Sequence, residues 1–148
     1  MASRPVSLRI PDEVRAEIEQ TAKRTKRGFS SIANEMLEEA VKMRRVPGIV
    51  FADESGQRAA RVAGTGLEVW EIIRTYRDAD ESWETLREAY HWLSDYQLRA
   101  ALAYAQAYPQ EINEQLAEYD HLEREEFFPR VRKMCESWAK EEEVSHAY

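Results

Sequence analysis

The stretch that decides the N-terminal fold is residues 4–43, RPVSLRIPDEVRAEIEQTAKRTKRGFSSIANEMLEEAVKM. Its first seven residues alternate between two faces, with Val6, Leu8 and Ile10 on the apolar face and Ser7 and Arg9 on the polar one. Alternation with a period of two is the pattern of a half-buried β-strand. Pro11 ends the strand and suits the start of a helix. The sequence therefore predicts a short strand followed by helical segments.

Two helices are predicted after the strand. Apolar residues at four-residue spacing give the first helix a narrow stripe formed by Val14, Ile18 and Ala22. Gly28 is expected to stop this helix in a left-handed conformation. Either Ser30 or Ser31 is expected to cap the second helix. The second helix has a broader apolar face, which includes Ile32, Met36 and Leu37.

A unit of about forty residues with a single strand buries too little apolar surface to be stable alone. An unpaired strand is also a template for pairing with a copy of itself. We therefore expect a two-fold dimer with an antiparallel two-stranded ribbon and four interlocked helices. The expected dimer core consists of Val6, Leu8, Ile10, Ile32, Met36 and Leu37.

The order of strand, Ile10-Pro11, Gly28 and Ser30-Ser31 resembles the ribbon-helix-helix family of Arc-, MetJ- and CopG-like repressors and antitoxins. The resemblance covers residues 4–44 and implies that the ribbon enters the major groove of double-stranded operator DNA. It also implies that Ser7 and Arg9 read base edges, with Arg4 just outside. Pro5 departs from the polar residue that the family usually has in the first reading position.

Backbone N–H groups at the start of the second helix form an anion site. Lys26, Arg27, Ser30 and Ser31 are therefore expected at DNA phosphates. The charge distribution agrees, because residues 1–48 carry a net charge of +3 while residues 49–108 and 109–148 carry −4 and −6. A basic head on an acidic body is typical of a DNA reader joined to a protein-binding part. The alternative is that an excess of three charges arose by chance.

The whole chain has 148 residues and a net charge of −7. Its single cysteine, Cys135, cannot form an intrachain disulfide, which fits a reducing cytoplasm. No apolar run is long enough to predict a membrane span or a signal peptide. We expect a mainly α protein with three parts. Residues 1–45 form the ribbon-helix-helix head, residues 46–108 a middle module, and residues 109–148 an acidic amphipathic helical tail.

The middle module is predicted to be a β-hairpin followed by three helices, a helix-turn-helix-like arrangement. Turn-type residues 53–56 separate the two strands, and Ser82 and Ser94 precede the later helices. Trp70, Trp83 and Trp92 are expected in the core rather than in a ligand site. The third helix exposes polar residues, so the module either contacts DNA or serves in dimerisation or as a spacer.

Residues 63–73 and 89–104 resemble the signature of a small bacterial family long described as a domain of unknown function and often regarded as VapB-type antitoxins. The resemblance covers residues 48–115. It departs at Gly66, where the family usually has Arg, and at Trp92. The family implies a cognate toxin as partner, commonly a PIN-like ribonuclease encoded alongside.

The tail contains a helix with a sharp apolar face. This helix either packs on its own domain or on the dimer mate, or it lies in a groove of a partner protein. The partner-binding residues expected in the second case are Phe127, Phe128, Arg130, Val131, Arg132, Met134 and Trp138. Cys135 lies on the same face and is interpreted as a buried structural thiol rather than a nucleophile.

No catalytic residues, metal ligands or cofactor motifs are predicted, because His91, His121 and His146 are far apart and no Gly-rich phosphate loop is present. The chain is therefore not expected to be an enzyme. The leading hypothesis is a DNA-binding antitoxin that represses its own operon as a homodimer and masks a toxin through its body or tail. The alternatives are a stand-alone transcription regulator and a dimeric interaction adaptor that does not bind DNA.

Overall fold

The structure is a computed structural model that describes residues 3–53, 57–124 and 128–145. It divides into two compact units, Met1–Pro47 and Gly48–Tyr148. The first unit contains helices α1 (Asp12–Thr25) and α2 (Phe29–Arg45). The second contains strands β1 (Ile49–Asp53) and β2 (Arg58–Val62) and helices α3 (Val69–Asp78), α4 (Trp83–Ala89), α5 (Asp95–Ala107), α6 (Pro109–Leu122) and α7 (Phe128–Ser145). The expectation of a mainly helical chain with a small antiparallel hairpin is confirmed.

The first unit has a very small core. Ile18 and Ala22 of α1 are buried against Ile32 of α2, and Ile10, Ala33 and Met36 pack beside them half-buried. Residues 3–10, all of which are described, form no β-strand in the single chain. The predicted ribbon needs a second copy of that segment, so it stays a prediction.

The turn between α1 and α2 differs from the sequence-based expectation in two respects. Lys26, not Gly28, adopts the left-handed conformation, with φ 55°, while Gly28 has φ −69°. The α1 helix ends at Thr25, so the residue that must reverse the chain is Lys26, and the N–H of Arg27 then bonds the Ala22 carbonyl at 3.0 Å. Either Ser30 or Ser31 was expected as the cap, but Gly28 occupies the N-cap position and no side chain caps α2.

The second unit is built on the predicted hairpin. Its strands pair antiparallel from Ile49 opposite Val62 to Asp53 opposite Arg58. The buried face of β2 packs on α3 and α5, and the largest fully buried side chains of this unit are Tyr104, Ile72, Leu86, Leu98, Ile112, Val62 and Val69. Gly48, at the start of this unit, has φ +95°, and an added Cβ would lie 3.1 Å from Ala100. A side chain at Gly48 would therefore be strained both sterically and in its backbone.

Local capping chemistry sets the helix starts. Ser82 caps α4 by accepting the Thr85 N–H. Ser94 and Gln97 form a reciprocal capping box at α5, and Glu68 and Glu71 form another at α3. Each box satisfies two backbone donors that the helix leaves unpaired. The starts of α4 and α5 therefore agree with their sequence signals.

The α6 helix belongs to the core of the second unit, although residues 109–122 were interpreted as the beginning of the tail. Pro109 begins a new helix, and the buried Ile112 packs this helix against α3 and α5. The Tyr104 hydroxyl lies 2.5 Å from the Glu111 carboxylate. Only α7 lacks extended packing against other elements of the described chain. No helix in the described ranges is long and apolar enough to cross a membrane.

Candidate functional site

The residues predicted to contact DNA are exposed in the first unit. Arg4, Ser7 and Arg9 are exposed in the segment before α1, as are Ser30 and Ser31 in the first turn of α2. The exposed cations Lys23, Arg24, Lys26 and Arg27 are concentrated at the end of α1 and the following turn. The first turn of α2 also has the positive end of the helix dipole, so this turn combines two sources of positive potential.

The structure brings two of the predicted phosphate-binding residues together. Arg27 donates one hydrogen bond to Ser31 Oγ at 2.9 Å. A second N–H of its guanidinium group bonds Glu35 at 2.7 Å. The guanidinium group therefore lies along the first two turns of α2. The Glu35 carboxylate was not among the predicted site residues, although its spacing from Ser31 places both on one helix face.

An apolar groove of about 220 Å³ lies in the same unit. It is lined by Leu8, Arg9, Ile10, Pro11, Val14, Ile18, Ala33, Met36 and Leu37. Val6 is 85% exposed, Leu8 68% and Leu37 54%. Ile32, which is predicted to belong to the dimer core, is already buried within its own chain at 1% exposure. Val14 and Val41 add exposed apolar surface that the predicted core did not include.

Aromatic side chains form a separate exposed cluster at the turn between α4 and α5. Trp92, in this turn, is 63% exposed, and Tyr96, in the first turn of α5, is 62% exposed. The His91 and Tyr90 rings both meet Trp92 edge to face, at centroid distances of 5.1 and 5.5 Å. Trp92 was expected in the core, and this prediction was wrong. Trp92 lies in the turn between α4 and α5, outside the helical segments that pack on α3.

The other two tryptophans are half-buried. Trp83 lies beneath the Arg99 guanidinium, which is 5.0 Å from its ring centroid. Trp70 packs on Tyr119 of α6 at 4.9 Å. The indole N–H of Trp70 also donates to Glu68, which caps the same helix. Trp70 therefore joins the start of α3 to α6, which is a structural role.

A polar cluster lies where α6 ends. Arg74 donates to Glu123 at 3.2 Å, and its guanidinium carbon is 4.3 Å from the Tyr119 ring centroid. The Tyr119 hydroxyl bonds Glu123 at 2.8 Å. The hydrogen bond from Tyr119, and to a smaller extent that from Arg74, lowers the pKa of Glu123 below its usual range. Interactions with Tyr119 and Glu123 raise the pKa of Arg74. Every charged group in this cluster has a partner, so it joins two helices rather than presenting a reactive group.

The predicted partner-binding residues of α7 are exposed where their side chains are described. Arg130 and Arg132 are exposed, Val131 is half-buried, and Met134 and Trp138 are 49% and 59% exposed. Phe127 lies outside the described residues, as does the side chain of Phe128. Cys135 is exposed, so its interpretation as a buried thiol was wrong. The α7 helix has no extended contact with another described element that could cover the thiol.

The loop between β2 and α3 is held in place by Thr65, which lies in the loop, and by Gln97 of α5. Thr65 Oγ1 donates to the Val62 carbonyl at 2.8 Å and accepts the Leu67 N–H at 3.1 Å. Gln97 of α5 donates to the Ala63 carbonyl at 3.3 Å. Gly64, which lies between Ala63 and Thr65, has φ +77°. These residues belong to the segments that resemble the bacterial family signature, and in this structure they set the scaffold.

Residues 49–105 match a family described as "Protein of unknown function (DUF433)". The match begins at β1 and ends within α5, so it covers the hairpin and the three helices that follow. It supports the family resemblance over the middle module at this level. No curated protein and no solved structure matches the chain. The ribbon-helix-helix head and the VapB-type function therefore stay predictions.

Among the described residues, no group of three or more His, Cys, Asp or Glu side chains is arranged to hold a metal ion. The strongest candidate site is therefore the surface of the first unit, where exposed polar residues, a basic turn and an unpartnered apolar groove occur within 47 residues.

Proposed function

We propose that the protein is a cytoplasmic DNA-binding antitoxin that represses its own operon as a homodimer and neutralises a ribonuclease-like toxin. The observation that carries the proposal is the apolar groove of the first unit, which has exposed Leu8 at its rim and polar Arg9 beside it. Exposed apolar side chains of this size are unfavourable in water. A second copy would cover them and leave the alternate residues Ser7 and Arg9 facing outward.

Binding to DNA is supported by the position of the positive charge. The basic turn and the amino end of α2 can approach a phosphate, while the paired segments would present Ser7 and Arg9 to base edges. The negative charge of the remaining chain makes the first unit the part best suited to a polyanion. This division supports a DNA reader at residues 1–45.

The toxin partner is supported by the resemblance of the middle module and by the exposed face of α7. A PIN-like ribonuclease would hold Mg²⁺ with carboxylates. Arg130 or Arg132 can pair with such carboxylates in a bidentate manner, while Val131, Met134 and Trp138 supply apolar contact. The exposed ring of Trp92, with His91 beside it, is the corresponding candidate in the second unit.

Two measurements test this function. A labelled DNA fragment from upstream of the gene should bind the purified dimer, and a scrambled fragment of equal length should bind more weakly. Co-expression with the product of the adjacent reading frame should yield a complex and suppress ribonuclease activity. Specific DNA binding without such a complex would favour the stand-alone regulator, and a dimer that binds neither would favour the adaptor.

A further inference from the structure

The side chain of Arg27 is held on the surface of α2 by two residues that follow it at four-residue spacing. One terminal N–H group of its guanidinium donates to Ser31 Oγ at 2.9 Å, and another donates to Glu35 Oε2 at 2.7 Å. The second bond joins two opposite charges, so Glu35 is the stronger of the two acceptors. Both ends of this ion pair are partly exposed, and a dissolved anion can therefore reach the same donors.

The ion pair engages one particular cation of the basic turn. Lys23, Arg24 and Lys26 are exposed there as well, but within the described ranges none of these three forms an ion pair. Arg27 thus differs from its neighbours, because its charge is already opposed by a carboxylate of the same chain. An anion that binds Arg27 must displace Glu35, whereas it meets the other three cations without that competition.

We propose that Glu35 is an autoinhibitory residue, which competes with DNA phosphate for Arg27 and so limits the affinity of the first unit for DNA. The inference rests on the proposed DNA-binding function and deepens it by naming an internal competitor for the phosphate. An N–H group that donates to the carboxylate is not available to a phosphate oxygen. The two acceptors also carry charge of the same sign, so the displaced carboxylate repels the bound phosphate.

The size of the effect follows from the exposure of the pair. Because exposed ion pairs are weak, we expect Glu35 to lower the affinity for DNA by about two- to fivefold. The factor should be the same for every duplex, since phosphates carry no sequence information. Glu35 therefore reduces background binding and leaves the choice of bases to the segment before α1.

The competition also has a salt signature. A phosphate contact releases a counterion from DNA, so the affinity falls as the salt concentration rises. When the phosphate displaces Glu35, the freed carboxylate attracts a cation from solution, and this uptake cancels part of the release. Without the carboxylate, the slope of log K against log salt should be steeper by up to about one unit.

Glu35→Gln tests the competition in the full-length protein, because glutamine keeps the shape and an acceptor oxygen but removes the charge. The probe is a labelled duplex from upstream of the gene, titrated at several salt concentrations. The variant should bind about two- to fivefold more tightly than the unaltered protein, with the steeper slope. Glu38→Gln removes an exposed acid one turn further along α2 and is the matched control, with affinity and slope expected to stay nearly unaltered.

Two double variants show whether the gain depends on Arg27. In an Arg27→Ala chain, Glu35→Gln should change neither affinity nor slope, because the donor for which Glu35 competes is gone. In a Lys26→Ala chain, the gain from Glu35→Gln should persist. A gain that survives in the Arg27→Ala chain would show general charge repulsion and overturn the proposal. A gain that disappears in the Lys26→Ala chain would assign the competition to the wrong cation and would also overturn it.

Failure of the inference and failure of the proposed function give different results. If the unaltered protein and Glu35→Gln bind the duplex with equal affinity and slope, DNA binding stands and the competition by Glu35 is overturned. If neither binds, the first unit is not a DNA reader, and the inference falls with that function. Arg27 and Glu35 lie outside the buried core of Ile18, Ala22 and Ile32, so a change in binding would not reflect unfolding.

Discussion

Arg27 bonds the Glu35 carboxylate at 2.7 Å, and the two side chains lie along the first two turns of α2. The cation expected to contact DNA phosphate is thus already paired with an anion of its own chain. Both side chains remain partly exposed, at 41% and 29%, so the pair is accessible and weakly held. A phosphate oxygen can replace the carboxylate at little cost, because it offers the guanidinium group an equivalent acceptor.

Replacing Lys26 and Arg27 with Ala should therefore reduce the salt dependence of DNA binding. Each lost phosphate contact lowers the slope of log K against log salt by about one unit. The measurement is a fluorescence titration at several salt concentrations. Arg44→Ala, at the other end of α2, is the charge-matched control for one of the two substitutions. An unchanged slope in the double variant would contradict phosphate contact at this turn.

Arg9→Ala should weaken binding to the operator by about 1–3 kcal/mol and relax the base preference, because Arg pairs bidentately with the O6 and N7 atoms of guanine. Footprinting and competition with substituted operators measure both effects. Arg15→Ala removes an exposed cation from α1 and should leave base preference intact. If Arg9→Ala binds and discriminates like the unaltered protein, the segment before α1 is not the reader.

Leu8→Asp should dissociate the proposed ribbon dimer, since it would place a charge in an apolar interface. Sedimentation velocity should show a loss of mass relative to the unaltered protein. Arg9→Asp introduces the same charge on the alternate face of the segment and should stay associated. A folded Leu8→Asp protein of unchanged mass would rule out a ribbon built on Val6, Leu8 and Ile10.

Deleting residues 127–148 should abolish toxin neutralisation and leave DNA binding unchanged, because the deletion removes the exposed face of α7 but no buried residue of either described core. Ribonuclease assays and DNA titrations of the same preparation measure the two activities. Neutralisation that survives the deletion would place the masking surface in residues 46–108.

Glu123 should stabilise the second unit in a pH-dependent manner. Its pKa is lowered in the folded protein, mainly by the Tyr119 hydroxyl and then by Arg74. The contribution is thus present above the unfolded pKa of about 4.5 and is lost as the pH falls through the lower folded value. Urea denaturation should show Glu123→Gln to be less stable than the unaltered protein at neutral pH and equally stable once both are in strong acid. A difference that persists in acid would contradict the linkage. Glu118→Gln, which replaces an exposed acid of α6, is the control.

The parts of the fold that were predicted from sequence depend on local chemistry. The hairpin follows from two short segments that flank the turn-type residues 53–56, and Ser82 and Ser94 mark the starts of α4 and α5 because each caps within its own helix. Trp92 could not be placed, since its exposure depends on which face of the α4–α5 turn meets the core. The same limit applies to α6, because Ile112 packs this helix against α3, which is distant in sequence, as well as against α5. The site prediction included Arg27 and Ser31, whose side chains are hydrogen-bonded to each other, but it did not include Glu35, because an ion pair across eight residues has no short motif.

The hydrogen bonds of Thr65 and Gln97 bear on what a match to this family can reveal. Thr65 fixes the loop between β2 and α3 through the Val62 carbonyl, and Gln97 connects this loop to α5 through the Ala63 carbonyl. Trp92 and Tyr96 are solvent-exposed and make no hydrogen bond to the β2–α3 loop among the contacts described. Substitution of Trp92 and Tyr96 can therefore leave the hydrogen bonds between the β2–α3 loop and α5 intact. Two chains that share this signature can fold alike and still bind different partners.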